Sequence, residues 1–448
     1  MQPISFCITA AKNEKHYVLG LLDSLVVNTE YEKHEVLILV DSDNQNQYEA
    51  FLDYKKLNPK LNLKIHRNTT GYVMGYQRNI SILFGNASND LVVYLQADMV
   101  VSPGLDRYFL EALNGDKNRI ITFARIEPPI HPESPEKITK SFGLTPEEFQ
   151  WDEFMEFSKE LIKENRPMSP YHFAPFGLYK ETYFSKLGGF DTRFRCSRED
   201  SDFIIRIEAT GMKALETWNA NVYHYTCVSS RGNEWYKKDD EKVAIKNRWQ
   251  EVADQEELKR FIRKWGYFGH HPLPKYDSAL IIKINSVPNF QILEAIEPYF
   301  EKIVIDDKHV LDELFRKVDF NYYYYSNYRW GYNNNEWDKL KSRFNESDIL
   351  KDRFVLLEDY DYSNDVVIET NMNELTKGFN VPINNQFIQK SNEMFSNLIA
   401  DDVISYKDPK GKYNIGCFDI EIKQLVDINQ KHIDGSQYLF DTSEFVFE

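Results

Sequence analysis

Four short apolar runs near the start of the chain narrow what it can fold into. Ile4–Thr9 (ISFCIT), Val36–Val40 (VLILV) and Leu91–Leu95 (LVVYL) are nearly unbroken, and Leu61–Ile65 (LNLKI) alternates apolar with polar. A strand that is apolar on both faces has to be covered on both faces, which crossover helices do in parallel sheets. Between the first two runs, Tyr17, Leu19, Leu21, Leu22, Leu25 and Val26 recur at helical spacing. Strand alternating with helix implies a parallel α/β sheet.

In such sheets ligands collect beyond the carboxyl ends of the strands. Three polar stretches stand there: Thr9 to Glu14, which includes Asn13; Asp41 to Asp43; and Gln96, Ala97 and Asp98. Asp and Asn also form turns and cap helices, so any one of these stretches alone is equally a turn.

At 448 residues the chain exceeds what one core usually organises, so two or three domains are expected. Aromatic residues at 15% and hydrophobic residues at 42% exclude a disordered chain. A formal charge of -16 repels phosphate backbones, so no nucleic-acid partner is expected. Cys7, Cys196, Cys227 and Cys417 lack paired spacing, which argues against a disulfide framework or a zinc cluster and for a cytoplasmic location. No apolar run approaches the roughly 20 residues that cross a bilayer, and Met1 to Ala11 lack a signal-peptide layout. Membrane contact is expected to be peripheral at most.

Residues 127–169, with several prolines and a helical stretch over Pro146 to Glu164, read as an insertion over the top edge of the sheet. Tyr267 to Pro274 (YFGHHPLP) breaks all periodicity and marks a linker over 267–276. Beyond it, Ala279–Ile284, Lys302–Ile305, Phe354–Leu357 and Val366–Glu369 read as strands of a second, smaller α/β domain over 277–448. The aromatic run Tyr322 to Tyr325 reads as a strand with two packed faces rather than a ligand platform.

The order of several motifs resembles family 2 of the glycosyltransferases. Ile8 and Thr9 leading to Asn13 and Glu14 are similar to the family's first-strand signature, and Val40 and Asp41 to its second-strand aspartate. Gly71, Gly75, Arg78 and Asn79, then Gly85 and Asn89 to Leu91, are similar to its glycine, Arg-Asn and pre-strand sequence. Gln96, Ala97 and Asp98 stand where the family carries an Asp-x-Asp metal motif, with Gln96 in place of the first acid. Gly188 to Asp191 (GGFD), then Arg198 to Phe203 (REDSDF), resemble its acceptor-side Gly-Gly-Phe-Asp and Glu-Asp signatures. Val222 to His224 resembles its late histidine before a mobile loop, a loop that here would carry Arg231, Lys237 and Lys238.

The resemblance covers roughly residues 4 to 265. It implies a GT-A fold, a Rossmann-like mixed sheet flanked by helices, as a catalytic domain over 1–266, with 127–169 as an insertion on the acceptor side that shapes the choice of acceptor. It also implies inverting transfer of a sugar from a nucleotide-diphosphate donor, taken as a UDP-sugar, to a hydroxyl on a glycan, lipid-linked saccharide or protein. Thr9, Asn13, Glu14, Asp41, Asp43, Arg78, Gln96, Ala97 and Asp98 would then bind the donor. A carboxylate suits nucleoside N–H and ribose hydroxyls, and a guanidinium suits a diphosphate. Asp98 and His224 would hold Mn or Mg, whose remaining positions diphosphate and water fill. Asp200 would be the general base. Gly177, Gly189, Phe190, Asp191, Glu199 and Asp202 would lie on the acceptor side, although for Glu199 and Asp202 a capping role on the helix through Arg206 is the favoured reading. A non-catalytic nucleotide- or carbohydrate-binding module on the same fold is the alternative.

Overall fold

The computed structural model describes residues 1–11, 14–41, 45–68, 76–131, 133–134, 137–170, 175–191, 193–194, 198–226, 257–266, 275–317, 346–378 and 410–429, with backbone alone at 76–78, 170 and 346–349. Asn13, Asp43, the Arg78 side chain, the linker residues 267–274, the aromatic run 322–325 and the loop bearing Arg231, Lys237 and Lys238 therefore lie outside it. The chain divides into two compact units, one within residues 1–250 and one within 251–433.

In the first unit the four runs form β1 (Ile4–Ala10), β2 (Glu35–Val40), β3 (Asn62–Arg67) and β4 (Leu91–Gln96). All are parallel, in the order β3-β2-β1-β4. Helices α1 (Lys15–Asn28), α2 (Gln45–Leu57) and α3 (Tyr76–Asn86) make the crossovers. Leu21, Leu22 and Leu25 on α1 pack with Ile4, Phe6, Ile38 and Val93 in a core on one face, and Cys7, Leu37, Leu39 and Val92 on the other face are buried too, as the patterning requires.

The sheet continues as a mixed one, through β5 (Met99–Val101), β6 (Arg119–Glu127), β7 (Lys137–Thr139), β8 (Ser169–Pro170), β9 (Phe176–Tyr179) and β10 (Lys213–His224). The full order is β3-β2-β1-β4-β9-β6-β10-β5, with β7 on β6 and β8 on β10. Strand β9 runs antiparallel to both β4 and β6, and β5 antiparallel to β10. The arrangement is a mixed, helix-flanked α/β sheet, as the resemblance implies. Helix α4 (Leu105–Leu113) follows β5.

The 127–169 segment contributes β7 and α5 (Trp151–Glu164). It is fastened by rings: Phe142, Phe149 and Phe154 pack with Tyr223 and Tyr225 at the end of β10, and the Tyr223 hydroxyl donates to the Gly143 carbonyl at 2.6 Å. Edge-to-face contacts such as Phe142 with Tyr223 (5.7 Å, 77°) add to the area buried.

In the second unit, β11 (Ser278–Lys283), β12 (Lys302–Ile305), β13 (Phe354–Leu356) and β14 (Val366–Asn371) are parallel in the order β13-β12-β11-β14, and an antiparallel hairpin, β15 (Gly411–Ile415) and β16 (Phe418–Ile422), extends the β14 edge. After α6 (Glu199–Ala209) of the first unit comes helix α7 (Leu258–Trp265), placed with the first domain by the sequence reading, which sends Leu258 and Ile262 into this second core. Its Arg263 forms a two-pronged pair with buried Glu297.

Gly177 in the middle of β9 is demanded by packing. It lies opposite Val93 of β4, and a Cβ there would come within 2.5 Å of the Phe109 ring and 2.8 Å of Val93 Cγ2. We expect Gly177→Ala to destabilise the first unit by about 1–3 kcal/mol through overpacking, read as a lowered Tm or denaturation midpoint.

Candidate functional site

The parallel strands end together. Thr9 of β1 pairs with Gln96 of β4, and the Asp41 amide donates to the Ala10 carbonyl, so the three polar stretches share one edge. The β1 turn is closed by Glu14, whose carboxylate accepts the Ala11 amide at 2.6 Å, and by Gln47 of α2, which accepts from the Glu14 amide and donates to the Ala11 carbonyl. Asp41 Oδ1 accepts from Asn68 Nδ2 at 2.7 Å, tying the ends of β2 and β3 together. Thr9, Glu14, Asp41 and Asn68 are all buried.

Asp98 sits in the two-residue turn between β4 and β5. Because β5 runs antiparallel to β10, Met99 lies opposite His224, and the Tyr225 amide donates to the Asp98 carbonyl at 3.0 Å. This backbone pairing brings His224 Nε2 to 3.4 Å from Asp98 Oδ2. The other ring nitrogen, Nδ1, lies 2.8 Å from Glu127 Oε1 at the end of β6. Glu127 is also paired with Lys137 (3.0 Å) and Arg125 (3.2 Å).

Burial penalises the imidazolium of His224, but the carboxylates of Asp98 and Glu127 outweigh it and raise the pKa to about 9. Burial likewise pushes Glu127 upward, and His224, Arg125 and Lys137 overcome it, holding the carboxyl well below the usual range.

The donor set suits the metal that the fold implies. Asp98 offers a hard oxygen and His224 an imidazole nitrogen, a combination that Mn2+ accepts readily. Nδ1 is engaged by an outer carboxylate, the arrangement that orients metal-binding histidines elsewhere. Among the described residues, no group of three or more His, Cys, Asp or Glu is disposed to hold a metal, so a cation at Asp98 and His224 would take further ligands from a bound molecule.

The acidic segment lies on another element. Helix α6 (Glu199–Ala209) begins after Arg198, whose φ of 66° breaks the chain into the helix without a side-chain cap. The N-cap position itself is held by Arg198, with Glu199 and Asp202 in the first turn that follows. Asp202 instead reaches forward one turn to Arg206, both fully buried, with Nε donating at 3.0 Å. Arg206 also donates to the carbonyls of Leu187 and Gly189, so this pair clamps α6 to the glycine turn.

Gly188 and Gly189 adopt φ of 67° and 72°, which only glycine enters cheaply. Phe190 stacks on Phe203 at 4.6 Å, and buried Asp191 makes a two-pronged pair with Arg193. Phe190, Asp191 and Asp202 thereby hold the turn and helix in place. Asp200 differs: it is partly exposed, and its Oδ1 accepts the Ser201 amide at 2.6 Å.

The sequence reading missed Glu127, Gln47 and Asn68. Glu127 had a readable signal: Ile120 to Ile126 is largely apolar and ends on an acid, as Val36 to Val40 does at Asp41. Counting it as the first residue of an insertion hid that. Gln47 and Asn68 carry no such signal.

Residues 6–187 match the model of glycosyl transferase family 2. The match includes Asp41, Asp98 and Glu127 and ends before Asp200 and His224. No curated protein sequence matches the chain. Among solved structures, GalNAc-T7 with UDP, GalNAc and Mn2+ is 18% identical with a TM-score of 0.39, over 58% of this chain and 54% of that one. The mannosyltransferase PcManGT from Pyrobaculum calidifontis with GDP-Man and Mn2+ is 14% identical, with a TM-score of 0.38 over 57% of this chain and 64% of that one. TarS 1-349 from S. aureus with UDP is 12% identical, with a TM-score of 0.38 over 59% and 79%. The chain thus spans less than two thirds of the first two. Among the described residues no helix is long and apolar enough to cross a membrane.

Removing the Asp202 carboxylate leaves a buried guanidinium without its counter-ion. Asp202→Ala is expected to cost about 3–5 kcal/mol, measured as a lowered denaturation midpoint.

Proposed function

We propose that the first unit is an inverting glycosyltransferase that moves a sugar from a nucleotide-diphosphate donor to a hydroxyl acceptor. The observation that carries the reading is the Asp98–His224 pair at the strand ends, within hydrogen-bonding range of each other and backed by Glu127. The family match over residues 6–187 supports the same class.

On this reading Asp41, aligned with Thr9 and Gln96 along one edge, accepts from nucleoside N–H or ribose hydroxyl groups, as a carboxylate does. Arg78 near the start of α3 pairs with the diphosphate. Asp98 and His224 bind Mn2+ or Mg2+, which when present neutralises charge on the departing diphosphate. Asp200 takes the proton from the acceptor hydroxyl while that oxygen attacks the anomeric carbon opposite the leaving group. Its partial exposure leaves it open to an acceptor, whereas Asp191 and Asp202 are already held by arginines. We take the donor to be a UDP-sugar and the acceptor a glycan, a lipid-linked saccharide or a protein.

A panel of nucleoside diphosphates and nucleotide sugars, each with and without Mn2+, tests the donor site by thermal shift, since ligand binding to the folded state raises Tm. Metal-dependent stabilisation by one nucleotide family is expected, and no shift with any member would sink the donor assignment. Asp98→Ala is expected to remove the Mn2+-dependent part of that shift.

Asp200→Asn is expected to lower turnover by about 10²-fold or more, the usual scale for a general base, with donor binding retained. Near-normal turnover in that variant would remove Asp200 from the base role. Gln96, an amide where the metal motif has an acid, is the feature that favours a binding module. That alternative predicts nucleotide binding with neither transfer nor donor hydrolysis across a broad acceptor panel.

A further inference from the structure

The carboxylate that touches His224 belongs to none of the expected motifs. Glu127 closes β6, is 3% exposed, and divides its two oxygens between different elements. Oε1 lies 2.8 Å from His224 Nδ1 on β10, and Oε2 accepts from Lys137 Nζ on β7 at 3.0 Å. The Lys137 side chain is itself buried, and β7 runs beside β6 with Arg125 opposite Lys137 and Glu127 opposite Thr139. A backbone bond from the Lys140 amide to the Glu127 carbonyl (2.8 Å) completes the attachment.

An ionised carboxylate only accepts hydrogen bonds, so the ring nitrogen facing Glu127 has to carry the proton. The other nitrogen, Nε2, faces Asp98 and is the one whose proton a bound cation would replace, while Nδ1 keeps its proton toward Glu127. Rotating the ring would give up the Glu127 contact and leave that buried carboxylate to Arg125 and Lys137 alone.

We propose that Glu127 is a positioning residue for the Asp98–His224 pair, holding His224 with Nε2 as its ligand atom, and that Lys137 ties this orientation to the 127–169 segment. The inference rests on the metal reading given above and deepens it. Outer carboxylates on metal-binding histidines fix tautomer and ring orientation, and their loss commonly weakens metal affinity about 10- to 100-fold. A consequence is that the segment expected to shape the acceptor site is joined to the donor's metal ligand through one buried carboxylate.

The test uses the full chain with Mn2+ titrated in the presence of UDP or GDP, read by loss of the free-ion EPR signal. Glu127→Ala is expected to weaken Mn2+ binding about 10- to 100-fold. Glu127→Gln, whose amide oxygen still accepts from Nδ1–H, is expected to lose less than Glu127→Ala. Lys137→Met is expected to shift affinity in the same direction, and no change there would cut the link to the segment.

Wild-type affinity in Glu127→Ala, with His224→Ala impaired, overturns the inference while the metal reading stands. Wild-type affinity in His224→Ala overturns both. Should Glu127→Ala fail to fold, the unaltered protein decides the matter by histidine 15N NMR with Mg2+ and UDP bound. A proton on Nδ1 and none on Nε2 of His224 supports the proposal, and the opposite tautomer refutes it.

Discussion

Strands β5 and β10 run in opposite directions, and their backbone pairing holds the site together. Met99 opposite His224 and the Tyr225 amide on the Asp98 carbonyl set the two side chains beside each other by register, before any rotamer is chosen. A slip of one residue along either strand would turn His224 to the other face of the sheet. Parallel pairing of β10 with β6 then brings Glu127 to the same place, although 97 residues separate it from His224. Three polar residues, two from strands and one from a turn, meet because the strands meet, and the aromatic packing of Phe142, Phe149 and Tyr223 buries the end of β10 that carries His224.

Charge is arranged differently in the two acidic regions. Around His224, carboxylates and cations alternate, from Asp98 to His224 to Glu127 to Lys137 and Arg125, so each buried charge has an opposite neighbour. In α6 the acids divide by helical geometry. Residues two apart do not share a helix face, so Asp202 turns inward to Arg206 while Asp200 stays partly exposed. The same short acidic stretch therefore supplies a structural clamp and a carboxylate open to a ligand.

The second unit repeats a plan found in the first. Its four parallel strands follow the order β13-β12-β11-β14, which matches β3-β2-β1-β4 in chain order, direction and the place of reversal. What differs is the continuation: a two-stranded hairpin follows β14, whereas β4 is followed by β9, β6 and β10. Among the described residues of this unit, no strands correspond to β6 and β10 in that path, so the edge on which Glu127 and His224 lie has no counterpart there. No repeat was visible in the sequence, since apolar strands of this kind exchange Val, Ile and Leu freely while keeping the architecture.

The elements and the polar strand ends were legible because they rest on local pattern. Nearly unbroken apolar runs announced β1, β2 and β4, and the eight strands expected in the two halves all formed within about two residues of their expected ends. Thr9, Asp41 and Asp98 stood out as polar residues that terminate such runs. The antiparallel insertion of β9 and β5, the partner that fixes His224, and the division of labour between Asp200 and Asp202 were decided only by tertiary structure. Each depends on which distant strand or helix becomes a neighbour, and pairing between strands is set by whole-sheet packing rather than by any window of sequence. Gln47 and Asn68 acquire their roles from neighbours, so composition and spacing alone left them indistinguishable from ordinary surface amides, and for Glu127 the apolar run before it marked a strand end but not the histidine it would meet.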